Sequence, residues 1–213
     1  CVIAEELGRF LAPVPFSSSV YLFTEAIINY ANEEIKSNIL PKLVNGEVIG
    51  TFAVAEEMKA PSADNINLSS NNGKLNGVKI AVPDAEVATH AIVVAKTDNG
   101  ISLQLVDLSS DGITIEKQEN IDESRGYFSI SFENVDSQLI GDETGGWNLY
   151  EFLINQAAVL FGYEQIGGSQ AALDMAINYA KERYAFGRQI GSFQAIKHKL
   201  ADMYIALTLA KSN

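Results

Sequence analysis

The hydrophobic spacing of this chain changes twice, and this succession limits its fold more than any other feature. Apolar side chains in residues 1–45 recur at helical spacing, interrupted by Pro13 and Pro15. Residues 48–140 instead form short β-branched and aromatic runs separated by Gly, Asn and Asp. From Trp147 the helical spacing returns. The order predicts an α+β protein: a helical segment, a middle β-barrel or sandwich domain, and long C-terminal helices of a bundle.

The same spacing gives boundaries for the domains and their elements. We expect domains over residues 1–45, 46–145 and 146–213. Within them we expect helices at 2–11, 26–38, 147–184 and 193–213, and strands at 48–54, 74–82, 91–96, 102–107, 113–117 and 127–132. The last two helices have apolar faces for which this chain supplies few partners, which predicts truncation, oligomerisation or both.

The composition excludes several classes of protein. The 213 residues include 15 Lys and Arg against 27 Asp and Glu, a net charge of -12, which argues against nucleic acid as a partner. The longest apolar stretch is too short to span a membrane. One Cys and two His exclude an internal disulfide and a Cys/His metal cluster, so we expect no metal site and a reducing, cytoplasmic location. The acidic N-terminus is unlike a secretory signal, and the missing initiator Met suggests that residues precede Cys1.

The strongest local feature is the run YAKERYAFGRQIGSFQAIKH at 179–198. It predicts that Arg183 ends one helix, that Phe186 and Gly187 form a corner, and that Gln194 opens the next helix. A guanidinium beside a helix N-terminus can bind phosphate, and an aromatic ring at the corner can lie against a ligand ring. A helical hairpin in which Arg183 pairs with a carboxylate explains the run equally simply, and the residue types alone favour that interpretation.

This run closely resembles the acyl-CoA dehydrogenase family, and weaker similarity covers essentially the whole chain. The segments EELGR at 5–9 and APVPF at 12–16 resemble the last helices of the family's N-terminal domain. FAVAE at 52–56 and LNGVK at 75–79 resemble its middle β domain, and IGGSQAALD at 166–174 resembles its first C-terminal helix. The resemblance identifies the chain as an internal piece of such a protein.

The resemblance implies an enzyme that removes the α-proton of an acyl-CoA thioester with a Glu base and passes the β-hydride to FAD. It implies that Arg183, Phe186 and Gln194 hold the FAD of a neighbouring subunit in a homo- or heterotetramer or a dimer. Phe52, Val54 and Ala55 match the strand that lies along the flavin ring. Electron-transfer flavoprotein is the implied electron acceptor.

Several positions depart from the family pattern. Ala55 replaces a Thr that bonds the flavin, and Ala81 and Pro83 replace a Trp and a Thr. The resemblance implies two places for the base: many family members carry it beyond the C-terminal end of this chain, and others carry it in the long helix. The position in the long helix corresponds to Ala157, which cannot take up a proton, so no catalytic base is identified in this chain. Glu164 lies two helical turns further on, but a paired or contact residue is the better expectation there.

Two functional interpretations remain open. The first is an FAD-dependent acyl-CoA dehydrogenase acting in fatty acid or steroid side-chain β-oxidation, with a bulky acyl group suggested by the lost Trp. The second is a non-catalytic partner subunit that completes the FAD site of a sister chain, as the four alanine and proline departures would allow.

Overall fold

The computed structural model describes residues 1–122 and 124–212, which form two compact units. One unit comprises residues 13–157, and the other comprises residues 1–12 together with 158–213. The domain boundaries expected from sequence remain a prediction, and Asn213, the last residue of the third expected domain, lies outside the described residues.

The unit 13–157 begins with three helical segments where the sequence predicts one helix over 26–38. A π-helix spans Ser17–Thr24, α2 spans Glu25–Tyr30 and α3 spans Glu33–Val44. The single-helix prediction is wrong because Asn32 caps a new helix, its side-chain oxygen accepting a hydrogen bond from the Ile35 N–H at 2.9 Å. It is also wrong at its end, since α3 continues through Pro41.

Eight strands follow, and they join in one sheet. Their bounds are β1 Gly50–Ala53, β2 Ser69–Asn71, β3 Lys74–Pro83, β4 His90–Thr97, β5 Gly100–Asp107, β6 Ile113–Lys117, β7 Tyr127–Asp136 and β8 Gln138–Ile140. The order is β6-β7-β3-β2-β4-β5-β8, and β1 pairs in parallel with β4. The six predicted strands are all present, whereas the three-residue strands β2 and β8 were missed because they are too short to show alternation.

The described strands do not form a closed barrel. Among the described strands, the ladder stays open between its terminal strands β6 and β8. The α+β class with a middle β domain is confirmed, and the barrel alternative is corrected to a sheet that stays open. Residues 91–95 of β4 form a continuous apolar run that is fully buried, as expected for a strand with neighbours on both sides and both faces covered.

The unit of residues 1–12 and 158–213 is built from helices. It contains α1, Val2–Arg9, the part of α4 from residue 158 onward, and α5, Gln194–Ser212; α4 as a whole spans Gly146–Glu182. Two glycines let α1 and α4 touch: a Cβ on Gly8 would lie 1.8 Å from the Glu164 carbonyl oxygen, and one on Gly167 would lie 1.8 Å from that of Glu5. An Arg9–Asp174 ion pair of 3.0 Å joins the same two helices.

The described residues contain no helix that combines the length and the apolar character needed to cross a lipid bilayer.

Candidate functional site

The corner after α4 is a β-hairpin, whose type the sequence did not predict. Strands β9, Tyr184–Ala185, and β10, Arg188–Gln189, pair antiparallel across a two-residue turn. Both turn residues, Phe186 and Gly187, are left-handed, with φ of 52° and 79°. A turn of this kind matches the natural twist of a hairpin and requires positive φ at both positions. Glycine adopts that conformation freely, whereas Phe186 is held in it at an energetic cost.

The backbone of Arg183 is fixed on both sides of the residue. Its N–H donates to the Tyr179 carbonyl at 2.9 Å, and its carbonyl accepts from the Ile190 N–H at 2.8 Å. The Arg183 side chain is exposed and makes no ion pair within residues 1–122 and 124–212. A fixed backbone that carries an unpaired guanidinium is suited to binding an anion.

An aromatic cluster follows Arg183 in the chain. The Phe186 side chain is 95% exposed and meets the Phe193 ring edge-on, with centroids 6.2 Å apart. The Arg188 guanidinium lies 4.1 Å from the centroid of the same Phe193 ring. Phe193 and Arg188 therefore support the turn and leave the Phe186 ring free to contact a ligand. Neither residue was singled out from the sequence.

Gln194 is the first residue of α5 and is exposed. The N–H groups of a first helical turn have no partner within their own helix, and the helix dipole favours negative charge there. A short 3-10 turn, Ile190–Ser192, sets the start of α5 close to α4, because a Cβ on Gly191 would lie 2.8 Å from the Ala180 carbonyl. Arg183, Phe186 and Gln194 thus belong to one local structure, which we call the hairpin site.

The other three predicted residues lie in the unit 13–157. Phe52, in β1, is buried and stacks on Tyr150, with ring centroids 5.9 Å apart. Val54 and Ala55 follow β1 and are half-buried. The chain leaves β4 at this point and turns to β3, since the Ile80 N–H donates to the Ala55 carbonyl at 2.8 Å. We call residues 52–56 the β1 segment.

An ion pair that the sequence did not reveal lies under the β1 segment. Lys79 is fully buried, and its Nζ donates to the Val54 carbonyl at 2.8 Å and to Glu56 Oε1 at 2.7 Å. Burial lowers the pKa of Lys79 from 10.5 to about 8, with Glu56 opposing that shift. The sequence identified Lys79 only as the last residue of the run LNGVK at 75–79, and no sequence pattern indicates that its charge is buried.

A second polar network was also missed. Asp84, which is left-handed with φ of 58°, accepts a hydrogen bond from Ser18 Oγ at 2.6 Å and pairs with Arg125. Arg125 also donates to Ser17 Oγ at 2.5 Å. The network ties the π-helix to the end of β3 and to the turn before β7. Because Ser17 and Ser18, Asp84 and Arg125 are far apart in the chain, no local sequence pattern predicts this network.

The departures from the family pattern occupy defined places. Ala81 lies at an irregularity of β3, with φ of 52°, and its N–H donates to Gln118 Oε1 at 2.8 Å. Ala157 is 1% exposed. Glu164 lies at the α1–α4 crossing, where its carbonyl oxygen faces Gly8. Ala81 and Ala157 have no ionisable side chain.

Residues 1–122 and 124–212 contain no group of three or more His, Cys, Asp or Glu side chains that could hold a metal ion. The hairpin site combines a guanidinium, a helix N-terminus and an aromatic ring. This donor set suits a phosphate group attached to a ring system.

Comparison with known proteins agrees with the residue patterns. The profile of the acyl-CoA dehydrogenase N-terminal domain matches residues 1–47, and that of the acyl-CoA dehydrogenase C-terminal domain matches residues 144–213. An acyl-CoA dehydrogenase of Bacillus subtilis (strain 168) is 32% identical over 93% of this chain and 56% of its own length. The human mitochondrial short-chain specific acyl-CoA dehydrogenase is 29% identical over 99% of this chain and 55% of its own length.

A solved structure gives the same answer. Butyryl-CoA dehydrogenase from Megasphaera elsdenii matches with a TM-score of 0.92 and 26% identity, covering 98% of this chain and 59% of that protein. The chain therefore spans little more than half the length of the relatives it matches. Two domain profiles of one family, a relative above 30% identity and a close structural match agree, and the chain belongs to the acyl-CoA dehydrogenase family.

Proposed function

We propose that this chain forms part of an FAD-dependent acyl-CoA dehydrogenase that desaturates the α,β bond of an acyl-CoA thioester. The Cα–H bond gives up a proton and the Cβ–H bond gives up a hydride, so that a carbon–carbon double bond forms. FAD, when bound, supplies the acceptor for the hydride. The observation that carries the proposal is the hairpin site, whose donors suit a nucleotide diphosphate.

In this proposal the hairpin site binds the FAD of a neighbouring subunit. Arg183 and the N-terminus of α5 contact its phosphates, Gln194 adds a polar contact, and Phe186 packs against a ring. Because both peptide groups of Arg183 are already hydrogen bonded, little backbone freedom is lost when the guanidinium engages its ligand.

The β1 segment lies along the flavin ring in the same proposal. Val54 and Ala55 have no side-chain hydroxyl or amide, so this segment offers backbone groups and shape instead of polar side chains. Ala81, exposed and small where the family has a Trp, leaves space beside the ring. We therefore propose a bulky acyl group, such as a branched chain or a steroid side chain, as the substrate.

No residue of this chain is assigned as the base. We further propose a homo- or hetero-oligomer as the working assembly, electron-transfer flavoprotein as the acceptor, and a reducing cytoplasmic compartment. The compartment rests on the single cysteine, which cannot form an internal disulfide.

A second candidate function rests on Ala157, which has no ionisable side chain and is 1% exposed. A chain without a base in that position could serve as a non-catalytic subunit that lends Arg183, Phe186 and Gln194 to the FAD site of a sister chain.

The test is a visible absorption spectrum of the full-length protein with and without added FAD. We expect a flavin band that an acyl-CoA substrate bleaches. Arg183→Gln should weaken FAD binding at least tenfold, whereas Lys117→Gln, which removes an exposed cation of β6, should change it little. A flavin band that appears only on co-expression with a sister chain would favour the second function, and no flavin in either case would refute both.

A further inference from the structure

The β1 segment is held by side chains where a strand would be held by backbone. β1 pairs with β4 from Gly50 to Ala53, and the ladder ends there. Beyond it, the Val54 carbonyl accepts a hydrogen bond from Lys79 Nζ at 2.8 Å, and the Ala55 carbonyl accepts one from the Ile80 N–H at 2.8 Å. Two successive carbonyls are thus directed at β3, one of them by an ammonium group.

One carboxylate connects this segment to a second part of the chain. Glu56 Oε1 accepts from Lys79 Nζ at 2.7 Å and from the Leu68 N–H at 3.0 Å, and Oε2 accepts from the Asn67 N–H at 2.8 Å. Lys79 and Glu56, which we call the clamp, therefore fix both ends of the loop 57–66. The loop itself carries exposed residues, with Met58 94% exposed.

Burying the charge of Lys79 in the clamp carries a large desolvation free energy, so the pair contributes little net stability to the fold. A fully buried ammonium loses its hydration, and an apolar side chain of similar length often serves stability equally well. Lys79 recovers its hydrogen bonds only by keeping the Val54 carbonyl and Glu56 in fixed positions. The specific result of the pair is geometric: it sets the path of residues 54–56 and the ends of loop 57–66.

We propose that Lys79 is a positioning residue for the cofactor, acting through the Val54 carbonyl and Glu56 to fix the β1 segment and loop 57–66 against the flavin ring. The identity of the ring rests on the proposed function, whereas the control of the loop by the clamp does not. Lys79 itself contacts no ligand, since it is fully buried beneath the segment that it holds.

The test compares Lys79→Met with Lys74→Met in the full-length protein. Both lysines lie in β3 and both form an ion pair of 2.7 Å, but that of Lys74 with Asp136 is at the surface. The first measurement uses no cofactor: trypsin cleavage after Lys59, which lies inside loop 57–66. We expect cleavage at Lys59 to accelerate at least tenfold in Lys79→Met and to stay unchanged in Lys74→Met.

The second measurement is the dissociation constant of FAD, followed by flavin fluorescence. We expect binding at least tenfold weaker in Lys79→Met, with the unfolding midpoint near that of the wild type, and unchanged binding in Lys74→Met. Should Lys79→Met not fold, Glu56→Gln takes its place, because the amide keeps an acceptor for Lys79 but presents a donor to one of the two N–H groups.

The outcomes separate the two proposals. A wild type that binds FAD, together with a Lys79 variant that binds it equally well, would overturn the positioning role and leave the proposed function standing. A wild type without FAD under any reconstitution would overturn the proposed function and the positioning role together; accelerated cleavage at Lys59 would then show that the clamp holds the loop alone.

Discussion

Replacing Gly167 by alanine should separate two helices that now touch through their backbones. An added Cβ would lie 1.8 Å from the Glu5 carbonyl oxygen, whereas ordinary contact begins at 3.4 Å, so α1 and α4 must move apart by about 1.6 Å at this point. The obstructing atom belongs to the backbone and cannot rotate away. Overpacking of this kind costs about 1–3 kcal/mol.

Gly162→Ala is the matched control on the same helix. A Cβ there meets nothing within 4 Å. Both substitutions gain the roughly 1 kcal/mol by which alanine exceeds glycine in a helix. The helical gain therefore cancels between the two variants, and their difference isolates the clash.

The assay is urea unfolding of the full-length protein followed by circular dichroism. We expect Gly162→Ala to be slightly more stable than the wild type and Gly167→Ala to be about 1–3 kcal/mol less stable than Gly162→Ala. If Gly167→Ala were as stable as Gly162→Ala or more stable, α1 and α4 would not be packed through Gly167, and the described arrangement of that unit would be incorrect.

Three further predictions concern single side chains. The pKa of Lys79 is 10.5 in the unfolded chain and about 8 in the folded protein. The free energy of unfolding of the wild type, relative to that of Lys79→Met, should therefore rise by about 3 kcal/mol between pH 8 and 10.5 and stay constant below pH 8. A decrease between pH 8 and 10.5 in paired denaturation curves would contradict the burial of the charge beside Glu56. Asn32→Ala removes the cap on the Ile35 N–H and should lower the unfolding free energy by about 1 kcal/mol in a urea titration, with Asn32→Asp near the wild type; an unchanged midpoint would show that the cap is immaterial. Phe186→Asn keeps a residue that tolerates positive φ but removes the ring, so the melting temperature should hold while FAD binding weakens by up to about tenfold by flavin fluorescence; unweakened binding would remove Phe186 from the proposed site.

Much of the fold could be read from spacing and turn residues. The six predicted strands could be found because each is long enough for its hydrophobic residues to form a recognisable pattern. In β7, for example, the alternating residues Phe128, Ile130 and Phe132 are buried. The two long helices appear for the same reason. Short strands such as β2 could not be predicted because three residues are too few to show alternation. The break at Asn32 could not be predicted because the capping side chain of Asn32 starts a new helix within a helical pattern.

The candidate site was also partly predicted from the sequence and partly found only in the structure. Arg183, Phe186 and Gln194 lie within one run of the sequence, at 179–198, so the sequence could place them together. The structure adds the hairpin that holds the Arg183 backbone. The predicted pairing of Arg183 with a carboxylate is not observed among the described residues.

Local spacing and motifs were enough to predict the α–β–α order, the family resemblance and the residues that carry it. The folded chain was needed to show that β1 runs parallel to β4, that Lys79 is buried against Glu56, and that Arg125 reaches Asp84 and Ser17. Each of these joins positions far apart in the chain. Their energies come from desolvation and hydrogen bonding between side chains brought together by folding, which leave no periodic trace in the sequence.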